Sequence, residues 1–233
     1  ASEVRRFNQL FKEIAVRKGA VRGEIESTWV NIALSSTGLD VLGVPGAADF
    51  PTAFREGMAH RAAELGDIGA SDPATWTAPF TGGQRVHAMV ILAADAPSDL
   101  DGGTTWIRAL MSQYKVTEIG CQDGKARDGE YAGHEHFGFK DGISQPTIDG
   151  LTTLPKKTGS DVIAVGEFLI GYANEDGQVS SAGLPDWAAN GSFLVYRRLR
   201  QNVGGFQEFV ASQVGPLGLP ADAVGEQLIG RWA

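Results

Sequence analysis

The stretch Arg85 to Ala94 is the strongest strand signal in the chain, and its apolar residues fall on both faces. A strand of that kind needs cover on both sides, which predicts a central place in a sheet. Thr28 to Ser35 alternates, with Val30, Ile32 and Leu34 on one face, as a half-buried strand does. Lys115–Gln122, Glu167–Tyr172 and Ser192–Leu199 read as further strands. Between them lie helical patterns. Ser2 can cap a first helix carrying Val4, Phe7, Leu10, Phe11 and Ile14 at helical spacing. A short helix follows at Thr37–Leu42, and Pro51 opens a longer one with Phe54, Met58, Ala62 and Leu65 as its buried stripe. Trp106–Tyr114, Phe206–Gln213 and Ala221–Trp232 also read as helices. The order helix, strand, helix, strand, helix, strand predicts an α+β fold with an antiparallel sheet.

Composition narrows the function. The 233 residues suit one or two domains with a real core. One cysteine, Cys121, excludes a disulfide framework and any Cys-based zinc or iron–sulfur site. Its strand position predicts a small buried hydrophobe. With 20 Lys+Arg against 28 Asp+Glu, the net charge of −8 argues against nucleic acid as a partner. No apolar run approaches the ~20 residues of a membrane span. Ala1–Lys12 holds no apolar signal core, a pattern shared by cytoplasmic chains and processed secreted ones.

Most motifs fail on inspection. There is no P-loop, and no GxGxxG follows a strand. Gly142-Ile143-Ser144-Gln145-Pro146 has a proline where a nucleophile elbow needs glycine. Asp99, Asp101 and Gly102 hint at a calcium loop, but the register puts Pro97 and Arg108 at ligand positions. His60 lies off its helix stripe and reads as solvated. His87 alternates with Met89 and Ile91 and reads as a core or interface histidine. His134 and His136 share one face if extended, a spacing a metal accepts, but no third ligand is evident.

The informative run is His136-Phe137-Gly138-Phe139-Lys140-Asp141-Gly142-Ile143-Ser144-Gln145-Pro146. Gly138 and Gly142 let the backbone approach a flat ligand closely. Asp141, presented from a partly apolar loop, can serve as acid and base. An Asp in such a place also caps turns, and residue types alone favour that reading.

Gly138-Phe139-Lys140-Asp141-Gly142 resembles the GxxDG signature of the dye-decolorizing (DyP-type) haem peroxidases. Asn31–Ser35, Phe54–Ala59, Val86–Ala88, Gly166–Tyr172 and Asn190–Leu199 resemble other segments of that family, so the similarity runs over nearly the whole chain. The resemblance implies two ferredoxin-like α+β domains, in the family's dimeric α+β barrel arrangement, holding haem b between them. It implies peroxide reduction coupled to oxidation of dyes, phenols or other organic donors. Asp141 is then the distal acid–base residue that promotes heterolytic O–O cleavage. Gly142, Ile143 and Ser144 lie against the haem, with Phe139 beside it. Trp187, Tyr172, Tyr131 and Trp232 are candidate electron relays by residue type, though each also reads as an ordinary packing aromatic.

The chain departs from the family in two places. None of its four histidines holds the proximal position, and the family's distal arginine also comes from a later segment. The family's opening strand has no counterpart before the first helix, which leaves the sheet incomplete. The implied layout is a first ferredoxin-like domain over 1–150, lacking its opening strand and ending in the haem loop. An extended connection follows over 151–190, and a second domain starts at 191–233. A second polypeptide, in a heterodimer or a cleaved form, is expected to supply the axial histidine, the distal arginine and the missing strand. The alternative is a non-catalytic haem-binding or assembly subunit of the same fold.

Overall fold

The computed structural model describes residues 28–81, 85–140, 146–151, 161–179 and 183–230. The expected first helix and Trp232 lie outside these residues. The described residues divide into two compact units, 28–122 with 183–189, and 123–179 with 190–230.

The first unit is built on two antiparallel strands, β1 (Thr28–Leu34) and β2 (Ala88–Ala94). Val30 sits opposite Leu92, and Ile32 opposite Val90. These four side chains pack on Ile107 and Leu110, the buried residues of a long helix. Cross-strand apolar pairs stacked on one helix face fix the register, because a one-residue slip would turn all of them outward. Helix α1 (Ser36–Leu42) follows β1, capped by the Ser35 hydroxyl, which accepts from Gly38 N at 3.1 Å. Helix α2 (Thr52–His60) begins after Pro51, and α3 (Ala62–Leu65) continues beyond Arg61. Phe54, Met58 and Ala62 are half-buried as expected, but Leu65 is exposed. Phe50 stacks between Phe54 and Trp187, at centroid distances of 5.0 and 5.5 Å. Helix α4 (Pro97–Tyr114) starts with its proline at the first helical position, where the missing N–H has no partner to lose.

The second unit holds a short parallel pair, β3 (Thr147–Ile148) and β4 (Val162–Ile163), and two helices, α5 (Val203–Leu217) and α6 (Ala221–Ile229). The fold is α+β with an antiparallel sheet, as the sequence predicts, and no closed barrel is present among the described residues.

Three expected strands are not seen among the described residues. Lys115 turns into the left-handed region at φ 55° and ends α4, and 116–122 then runs irregularly. Cys121 is exposed there, not buried. Glu167–Tyr172 folds back on itself instead: Gly166 N donates to Ala173 O at 3.0 Å, and Ala164 N donates to the Glu175 carboxylate. No strand is assigned over 191–200, although Leu194, Val195 and Leu199 are apolar and 50, 70 and 76 % exposed. Strand β2 likewise pairs only with β1 among the described residues, with Ile91 outward, so its expected central place is not seen. A strand pattern supplies propensity, but tertiary context decides which runs become strands.

Candidate functional site

The residues leading into the GxxDG run form a tight hairpin, with His134 bridging Lys140. Glu135 N donates to Phe139 O at 3.0 Å, and Gly138 N to Glu135 O at 3.1 Å. Gly138 takes φ 107°, a conformation that side chains strongly disfavour. The Glu135 carboxylate fills the inside of this turn. Its Oε1 accepts from Phe139 N at 2.8 Å and its Oε2 from Phe137 N at 2.7 Å. The same Oε2 accepts from Gln201 Nε2 at 2.6 Å, just ahead of α5. Arg127 Nη1 donates to the Glu135 carbonyl at 2.8 Å, and its guanidinium lies 4.3 Å over the Tyr131 ring.

The two aromatics of the turn are gathered into an apolar cluster. Phe137 stacks on Phe206 at 4.5 Å, and Phe139 meets Phe206 edge-on at 6.1 Å. Phe139 also lies against Gly225 of α6, beside Val224, which is 1 % exposed. Phe139 is therefore half-buried and held from two directions. Asp141, Gly142, Ile143 and Ser144 lie outside the described residues.

On the outer side of the hairpin, Lys125, Arg127, His134 and His136 line an open groove of about 530 Å³. Its cations already have partners. Lys125 pairs with Asp128 at 3.0 Å, which holds the Asp128 carboxyl below its ordinary range.

All four histidines are described. His60 and His136 are exposed. The His87 carbonyl accepts from Ser35 N at 3.1 Å, beside β2. His134 Nδ1 lies 3.0 Å from Ala132 O within its own turn. Among the described residues no three His, Cys, Asp or Glu side chains gather as metal ligands. The described residues of the hairpin thus offer an aromatic contact face, with His134 tied within its own turn and His136 exposed.

Sequence reading missed Glu135 and Gln201. Glu135 entered it only as the neighbour of two histidines, and nothing local marks Gln201, which lies 66 residues away.

Comparison with known proteins gives this hairpin a context. Residues 2–128 match the family model described as the DyP dimeric alpha+beta barrel domain. Peroxidase 2 of Mycetinis scorodonius is 38% identical over 207 residues, covering 88% of this chain and 38% of that protein. A solved dye-decolorizing peroxidase in complex with 2,6-dimethoxyphenol superposes with a TM-score of 0.78 at 30% identity, over 98% of this chain and 53% of its own. Another, whose heme pocket was engineered for asymmetric sulfoxidation, gives 0.76 at 29% identity, over 100% of this chain and 51% of its own. The chain thus spans about 38% of the length of the first curated relatives it matches. The family model covers more than half of the 233 residues, and the chain belongs to the dye-decolorizing peroxidase family.

Proposed function

We propose that this chain forms the distal side of a haem-dependent peroxidase that reduces hydrogen peroxide with electrons from dyes, phenols or other organic donors. The observation that carries the reading is the intact Gly138–Gly142 run, with Asp141 between its glycines, in a member of this family. Haem b, when bound, supplies the redox chemistry. Phe139, Gly142, Ile143 and Ser144 would hold it, and the clustering of Phe139 with Phe206 suits an apolar, flat ligand. Peroxide is a weak acid, so it needs a base within reach to become a nucleophile. The Asp141 carboxylate takes the proton from one peroxide oxygen and returns it to the departing one.

The imidazole that would ligate the iron and the arginine that would assist Asp141 would come from sequence outside these 233 residues, for instance a completing polypeptide in a heterodimer or a cleaved form. Two observations support this. His60 and His136 are exposed and His134 is tied within its own turn, and this chain covers 38% of the length of the first relatives it matches. The exposed Leu194, Val195 and Leu199 are apolar surface that such a segment can cover.

Asp141→Asn tests the reading in the haem-loaded complete protein. General acid–base groups contribute roughly 10²–10⁴-fold, so the peroxide reaction should slow by that order while haem binding persists. Unchanged turnover would instead favour a non-catalytic haem-binding or assembly role.

A further inference from the structure

We propose that Glu135 is a positioning residue for the haem loop, setting the path of Phe137–Lys140 and so the starting point of Asp141. This rests on the reading of Asp141 as the proton carrier. The geometry is specific. One carboxylate satisfies two backbone N–H groups two and four residues downstream, at 2.7 and 2.8 Å. Glu135's own N–H and C=O close the same turn from the other side, through Phe139 O and Gly138 N. Residues 135 and 139 are thus tied twice, once by main chain and once by side chain. Gln201 then anchors the carboxylate to the start of α5, at 2.6 Å. α5 also carries Phe206, the ring that packs both Phe137 and Phe139. The polar tie and the aromatic cluster therefore register the turn against one and the same helix.

A carboxylate suits this role better than a neutral group. It accepts several N–H bonds at once, and charge-assisted hydrogen bonds are stronger than neutral ones. Asp141 follows Lys140 directly, so an error in the direction of the 137–140 arm is passed to the catalytic side chain. Misplacement of about 1 Å at a reacting group can lower rates on the order of 10²-fold.

Three variants test this in the complete, haem-loaded protein: Glu135→Ala, Glu135→Gln and Gln201→Leu. Two readouts are taken, hydrogen exchange at the Phe137 and Phe139 amides, and the pH profile of the peroxide reaction. Glu135→Ala should speed exchange at both amides by roughly tenfold or more, as expected when bonds to a charged acceptor are lost. It should also slow the peroxide reaction and shift its acidic limb. Glu135→Gln retains one acceptor oxygen, so one amide should stay protected. Gln201→Leu leaves both amide bonds in place and should give the mildest change in each readout. Amides that stay protected in Glu135→Ala overturn the proposal. So do amides that lose protection while rate and pH profile stay unchanged. If the unmutated protein does not react with peroxide, the reading of Asp141 fails instead, and the exchange experiment still decides whether Glu135 holds the turn.

Discussion

Gly225 and Phe139 lie so close that a methyl group on the glycine would stand 2.7 Å from the ring Cζ. Helix α6 can press against the Phe139 ring only because that methyl is missing. Gly225→Ala gains about 1 kcal/mol of helix propensity but forces a half-buried ring to move, at about 1–3 kcal/mol. The expected net is a destabilisation of about 1 kcal/mol, which Phe139→Leu in the same molecule should relieve. Urea unfolding of the two single variants and the double variant measures it, and additive effects would refute the contact.

Gly38 poses a harder constraint. A Cβ there would overlap the His87 carbonyl oxygen, a backbone atom that cannot swing aside. That carbonyl also accepts from Ser35 N at 3.1 Å. Gly38→Ala should therefore cost more than Gly225→Ala, about 3 kcal/mol before the same propensity gain. Thermal unfolding by circular dichroism would show it, and a variant of unchanged stability would count against so close an approach of α1 to the residue that leads into β2.

Arg108 on α4 donates to Glu118 through Nε at 2.8 Å and Nη2 at 2.9 Å. This hydrogen bonding holds the Glu118 carboxyl below its ordinary value of 4.5, against a smaller opposing effect of burial. A lowered folded-state pKa means the stabilisation is present above about 4.5 and disappears as pH falls through the lowered value. Arg108 is half exposed, so Glu118→Gln should cost less than about 1 kcal/mol near neutral pH. The difference from the unmutated protein should shrink at a pH well below 4.5 and in high salt. Urea titrations at the two pH values check the sign.

The run at 193–199 predicts association behaviour. Val195 and Leu199 are 70 and 76 % exposed, in a segment with high strand propensity. Contiguous exposed apolar side chains mark surfaces prone to association. The isolated chain should self-associate with rising concentration, and Val195→Lys should reduce that. Light scattering across a concentration series measures it. Equal scattering from both proteins would show that the run is not the sticky surface.

Legibility in the sequence followed the range of the interactions. β1, α1 and the apolar stripe of Phe54, Met58 and Ala62 were readable because their patterns are local and their partners lie nearby. The end of α4 and the irregular course of 116–122 were not, because strand formation depends on partners elsewhere in the molecule. The same holds for Ser192–Leu199. The GxxDG run was found as a motif, yet the hairpin that delivers it was not. Its key bond joins Glu135 to Gln201, and no local pattern connects two residues so far apart.

Arg127 over Tyr131 has a consequence for how easily that ring is oxidised. A guanidinium is attracted to the electron-rich face of an intact phenol ring. Removing an electron from that ring before its hydroxyl proton leaves replaces attraction with repulsion between two positive centres. Tyr131 is therefore a poorer one-electron donor than its exposure alone suggests. Trp187 stands differently: its indole N–H donates to the Pro45 carbonyl at 2.9 Å, a partner that stabilises positive charge on the ring.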